Sequence, residues 1–483
     1  MFDREDPKII WVGPQGEGGT GTYADPFTSL GQALQNVKPG NTVVLKDGTY
    51  YNDQTIEISG SAELPVKICA DTDAEVVIDG ACWFFYDTSD LVVTDLIFTN
   101  APQGAISVIG NCQRNLFSSL KFLDCGIADK PSCTVYFGGA GARFNMVENC
   151  HFQRNQLRED PAKSTIALMV AEGDDEFALP IKNHIFRRNT FINYSYGVMI
   201  GSSDQSDLNS GHIVEYNRIE NCSIDGIMVK VGDAQVRGNL IKGCMRNPVS
   251  VSTGEGTVVE DNRVVDCKKG VQVNGDGHTV VNNCFIRCAE EAVNVGSSSG
   301  TLRKAASNLF INSNTCVHCG IDAPDKQEAV SGFRIEPGTS CIIQKNLVVG
   351  DGKPYGIVGE NGDSTVNYVV DDNICDNSGV SLHGFEHSSV SFDQPDDDNY
   401  QNSSGYGACG LMLTPQTFDP SIDELREGEV DYLAASVLED EQGGLVIPGG
   451  DDENPFTEIY SGLLQDNGPE DETVDDGTVN EDD

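Results

Sequence analysis

One short unit recurs through the middle of this chain, and it constrains the fold more than any other feature. An asparagine, any residue and an apolar residue are followed by a polar gap, a glycine and a strand of alternating apolar residues. Copies begin at Asn189-Thr190-Phe191, Asn217-Arg218-Ile219, Asn239-Leu240-Ile241, Asn262-Arg263-Val264, Asn283-Cys284-Phe285 and Asn308-Leu309-Phe310. From Asn217 to Asn308 the steps are 22, 23, 21 and 25 residues. That length suits one coil of three short strands with their turns, so the repeat predicts an all-β solenoid, a right-handed parallel β-helix. Val249-Ser250-Val251-Ser252 and Val271-Gln272-Val273-Asn274 show the period-two alternation of strands. A turn asparagine tolerates the left-handed backbone region and can bond its counterpart in the next coil. Longer steps, such as the 40 residues from Asn149 to Asn189, predict loops inserted between coils. Loops on a rigid scaffold are where binding surfaces are usually built.

The cysteines follow the same repeat. Cys222, Cys244, Cys267 and Cys288 each lie five residues after a repeat asparagine. A constant offset predicts a buried file of small apolar side chains, reduced rather than bridged. Cys316 and Cys319 form a CxxC, but no second pair stands at zinc-finger spacing.

A length of 483 residues would ordinarily suggest about three domains, at roughly 150 residues each. A solenoid instead grows along one axis. Residues 1–41 read as an N-terminal cap, in which Leu30, Ala33, Leu34 and Val37 follow helical spacing and so form a short amphipathic helix over the first coil. Residues 42–390 read as the β-helix, starting with strands around Val43-Val44-Leu45 and Thr55-Ile56-Glu57-Ile58. Residues 391–468 read as an irregular closing segment, with a helix-like stretch from Pro420 to Leu433, and 469–483 as a disordered acidic tail.

The net charge of -44 excludes nucleic acid as a partner, because phosphates would be repelled. An acidic polymer would need salt, calcium or a local basic patch to approach. No run of 18 apolar residues marks a membrane span, and Met1 to Asp6 is charged, with no apolar signal core. Either a leader was trimmed, or the protein leaves its cell another way, for example in a virus particle. The expected location is extracellular or at a cell surface, with a virion surface as the alternative. The oligomeric state is not readable.

Several segments carry a resemblance. Trp11-Val12-Gly13-Pro14, Asp25-Pro26-Phe27 and Pro39 to Tyr50 look like the cap of secreted β-helix proteins. Ile200-Gly201-Ser202-Ser203-Asp204-Gln205-Ser206, Val214-Glu215-Tyr216-Asn217 and Gly277-His278-Thr279-Val280-Val281-Asn282-Asn283 resemble the alginate lyase and chondroitinase B family of polysaccharide lyases, which have pectin-lyase-like folds. The resemblance covers roughly residues 9 to 290. It implies an acidic, uronate-containing polysaccharide as partner, alginate for example, and β-elimination as the reaction. Calcium neutralises the uronate carboxylate, a lysine takes the C5 proton, and an arginine assists the leaving oxygen. By this resemblance Asn193 stands at a calcium ligand, seven residues before Ile200-Gly201. Lys230 stands at the base if two residues are deleted after Cys222. Asp225 stands at one of two acidic calcium ligands, Ser223 at the other, and Ser252 at the arginine. Asn193, Asp225, Lys230 and Ser252 are expected to line one surface groove on successive coils, and Arg246, six residues before Ser252, is placed to reach it from a turn.

Each residue also has a plain structural reading. Lys230 fits a solvated strand lysine, Asn193 a turn asparagine and Asp225 an Asp-Gly turn. Gly16, Gly18 and Gly21 fit GxGxxG, but Tyr23-Ala24-Asp25-Pro26 stands where a dinucleotide-binding helix should begin. Two functions remain open: a calcium-dependent lyase, or a non-catalytic surface, spike or decoration β-helix with a structural or glycan-binding role.

Overall fold

A computed structural model describes residues 2–14, 19–126, 132–139, 141–157, 163–171, 181–201, 211–296, 305–320, 330–349, 355–359, 368–371, 373–376 and 380–383. These form a right-handed parallel β-helix. Among the described residues, every strand except the first and last of each sheet pairs in parallel with the strand one coil before and one coil after it, in three sheets of 14, 13 and 13 strands. The closing segment, the stretch from Pro420 to Leu433 and the acidic tail lie outside the described residues.

The solenoid begins earlier than expected. Ile9–Val12 is already a strand of the first sheet, in register with Thr42–Leu45. The capping helix spans Leu30–Leu34, starts from Ser29, whose hydroxyl accepts from the Gln32 amide, and buries Leu30, Ala33 and Leu34. Val37 lies past its end, partly buried against the core.

Period-two alternation sends one row of each strand inward. In the second sheet, Phe98, Phe122, Phe152 and Phe191 stack with ring centroids 5.4, 4.5 and 4.8 Å apart, the row that Ile219, Ile241 and Val264 continue. Three residues after Ile219, Ile241, Val264 and the next row member, Phe285, come Cys222, Cys244, Cys267 and Cys288, all buried, with the Cys244 amide donating to the Cys267 sulfur at 3.3 Å. The hydrogen bond with Cys222, then burial, pushes the Cys244 thiol well above its ordinary range, and burial, then the Cys244 thiol, does the same for Cys267, which keeps both protonated and inert.

The asparagine ladder runs between the first and second sheets through Asn189, Asn217, Asn239, Asn262, Asn283, Asn314, Asn346 and Asn373. Each member's side-chain oxygen accepts the backbone N–H of the member before it. The sixth rung is thus Asn314, not Asn308, and the step from Asn283 is 31 residues. Asn308 instead leads into the first-sheet strand Leu309–Asn312 and donates to Asp276 at 2.7 Å. The left-handed conformation also falls one residue earlier than the asparagines themselves, at Arg188, Tyr216, Gly238, Asp261 and Asn282. The ladder asparagines keep ordinary backbone angles and work through their amides.

A second ladder stands where the chain enters the first sheet. The Asn115 amide donates to Asn145 Oδ1, that of Asn145 to His184 Nδ1, and that of His184 to His212 Nδ1.

Candidate functional site

The residues singled out by sequence converge on the third sheet, on strands Tyr196–Ile200, Asp225–Val229 and Asn247–Val251. Tyr196, Asp225 and Asn247 stand in register on successive coils. Asp225 is fully buried. Its carboxylate accepts from Arg246 Nε at 2.9 Å and Nη2 at 2.7 Å, and from the Asn247 backbone and side-chain amides at 3.3 and 3.2 Å. A buried carboxylate without such partners would be costly. Arg246 comes from the turn just before its strand, one coil on, and its side chain remains 42% exposed. Burial works against its charge, but hydrogen bonding and attraction to Asp225 outweigh it, so the guanidinium stays charged. Burial, then the nearby Asp225 charge, raises the Tyr196 phenol, which therefore remains a hydrogen-bond donor.

At the other end of these strands, Lys230 and Ser252 follow the paired residues Val229 and Val251. The Ser252 amide donates to the Val229 carbonyl at 2.9 Å, and the Thr253 hydroxyl to the Lys230 carbonyl at 2.9 Å. Lys230 is partly exposed. Ser252 is buried, its hydroxyl 3.3 Å from that of Ser250. Ser250, Gln272 and Asn294 occupy matching positions on three coils, all buried, and Gln272 donates to Asn274 at 3.0 Å. Beside this row, Glu291 bonds Lys269 at 3.0 Å and Asn294 at 3.2 Å, and pairs with Arg334 at 3.5 Å.

The expectation of one open groove lined by Asn193, Asp225, Lys230 and Ser252 therefore needs correction. Lys230 and Ser252 are neighbours, and Asp225 lies on the strand that Lys230 follows, but Ser252 faces its own hydroxyl–amide row rather than solvent. Asn193 belongs to the corner after strand Thr190–Ile192, in the left-handed region at φ +63°. Its side-chain amide donates to the Arg154 carbonyl at 2.8 Å, and its oxygen accepts from Asn221 at 3.3 Å.

These residues do not fit calcium. The cation takes six to eight oxygen ligands. Here the Asn193 amide oxygen already accepts a hydrogen bond, both carboxylate oxygens of Asp225 hold a guanidinium, and Ser223, set by the resemblance at the second acid, offers only a hydroxyl. Among the described residues no group of three or more His, Cys, Asp or Glu side chains is arranged to hold a metal.

The sequence matches the family described as Chondroitinase B over residues 26–407. The chain belongs to the chondroitinase B family. No curated protein matches it. Among solved structures it is similar to the PL6 family alginate lyase AlyGC, in an arginine-to-alanine variant, at 18% identity and a TM-score of 0.57. That match covers 77% of this chain but 53% of the other, so this chain spans about half the length of that relative. The PL6 family polysaccharide lyase Pedsa3628 from Pseudopedobacter saltans gives 14% identity and a TM-score of 0.54, covering 72% of this chain and 92% of that one. A mannuronic acid specific family 6 lyase from human gut microbiota gives 18% and 0.50, covering 83% and 95%. Such identities carry the fold alone.

In this chondroitinase B family chain, sequence reading missed Tyr196, Asn247 and the row of Ser250, Gln272 and Asn294. The signal was present in the alternation of Val249-Ser250-Val251 and Val271-Gln272-Val273, whose polar members had to face away from the core. Among the described residues, no helix is long and apolar enough to cross a membrane.

Proposed function

We propose that this protein binds a uronate-containing acidic polysaccharide, such as alginate, against the third sheet and cleaves it slowly by β-elimination. Family membership across residues 26–407 supports a polysaccharide as the partner. The cleavage reading rests on Lys230, which the sequence resemblance sets at the family's base and which is partly exposed at the end of its strand. Its neutral amine would take the C5 proton. The electron pair would form the C4–C5 double bond as the C4–oxygen bond breaks, and the departing oxygen would take a proton from the lysine ammonium or from water. With serine where the family has arginine, no charged donor aids that oxygen, and the reaction should be slow. The buried, self-paired Ser252 hydroxyl favours a second reading, a glycan-binding β-helix without catalysis. An extracellular or virion-surface setting fits either.

The test is incubation of the full chain with several uronate polymers, followed by absorbance of the unsaturated product. Product formation that Lys230→Ala abolishes supports the enzyme. Binding with no product from the wild type leaves the binding reading, and neither binding nor product overturns both.

A further inference from the structure

We propose that Arg246, rather than a bound calcium ion, receives and neutralises the uronate carboxylate; this rests on the function proposed above. The argument begins with the pairing mode. Asp225 holds Arg246 side-on, through Nε and Nη2. A guanidinium carries five N–H donors in a planar fork. Side-on pairing consumes two of them and leaves the edge formed by Nη1 and the second Nη2 hydrogen. That edge can hold another carboxylate through two parallel bonds.

The support is rigid and the reach is outward. Asp225 is fully buried and fixed by both amides of Asn247, while the Arg246 side chain is 42% exposed. The buried carboxylate therefore aims the guanidinium, and the guanidinium faces solvent. In a chain of net charge -44, a cation anchored this way gives an acidic sugar a specific point of attachment. The same ion pair occupies both oxygens of the acid that a calcium site would need and offers guanidinium N–H donors in its place. Tyr196, in register with Asp225 and held protonated, adds a neutral donor beside the fork.

The experiment titrates short alginate oligosaccharides, and their carboxyl-reduced counterparts, into the full-length chain in chelator and again in calcium. The affinity for the acidic oligosaccharide should be the same in both. Arg246→Gln should weaken it by roughly 10–100-fold, the loss of a bidentate charged contact, and leave the carboxyl-reduced binding unchanged. Arg246→Lys should fall between, because it keeps the charge without the fork. The paired variant Arg246→Gln with Asp225→Asn avoids stranding a buried carboxylate and should repeat the selective loss in a chain with wild-type circular dichroism. Binding that disappears in chelator and returns with calcium overturns the proposal but leaves the polysaccharide reading standing. Equal weakening of both oligosaccharides by Arg246→Gln also overturns it. If no uronate oligosaccharide binds under any condition, the polysaccharide reading falls, and this inference with it.

Discussion

Replacing Asn239 by alanine tests whether the asparagine ladder holds the coils together. The Asn239 side chain donates to the Val214 carbonyl at 2.9 Å and to Asn262 Oδ1 at 2.9 Å, and accepts from the Asn217 backbone and side-chain amides, each at 3.0 Å. Its own backbone amide would still reach Asn262. Alanine therefore deletes four buried hydrogen bonds and strands the Asn217 amide. At about 1 kcal/mol per bond, with the larger penalty for stranded groups, the loss should be about 3–5 kcal/mol. If the coils melt as one unit, that is a fall of about 5 °C in Tm, and more if the damage stays local, as a solenoid permits. The control is Asn308→Gly, because Asn308 sits in the left-handed region at φ +53°, which glycine adopts without strain and alanine does not. Asn308 resembles a repeat member in sequence but makes an exposed contact to Asp276, so its loss should cost less than about 1 kcal/mol. Differential scanning calorimetry of the two variants and wild type gives the answer. Equal Tm changes, or an Asn239→Ala change below about 1 °C, would falsify the claim that the ladder amides are structural.

Acid should loosen the second ladder. Burial lowers the His212 imidazole to about 4, against about 6.5 in an unfolded chain, so between those values the unfolded chain binds more protons. Stability should therefore fall as pH drops from about 6.5 towards 4, by about 2 kcal/mol at pH 5 from this residue. His212→Asn, which borrows the residue already used at Asn145, should flatten that limb in melts across pH; an unchanged slope would count against the assignment. Removing the acidic residues 469–483 should move Tm by less than about 4 °C. A larger drop would show that the stretch supports the fold. Lys230→Ala should abolish any unsaturated product while leaving Tm within about 2 °C, because its side chain is partly exposed; retained activity would remove it from the chemistry.

The repeat of about 22 residues was enough to establish the β-helix and the buried cysteine file, and helical spacing at the N-terminus the capping helix. These depend on local period and on a constant offset within one coil, and hydrophobic periodicity reports both directly. What the linear pattern could not establish was registration across insertions. Asn308 matches the motif as well as Asn314 does, but only Asn314 stands opposite Asn283 once the strands pair, because parallel register, not spacing, decides which amide meets which. The left-handed residue moved for the same reason: the turn bends before the ladder position, so Arg188, Tyr216 and Asp261 take the unusual angle and free the asparagines to bond along the axis. At the site, sequence placed Asp225, Lys230, Arg246 and Ser252 near one another. It could not tell that Asp225 spends its charge on Arg246 or that Ser252 turns to Ser250, since which partner a buried polar group takes is decided by the side chains that stacking brings within about 3 Å of it.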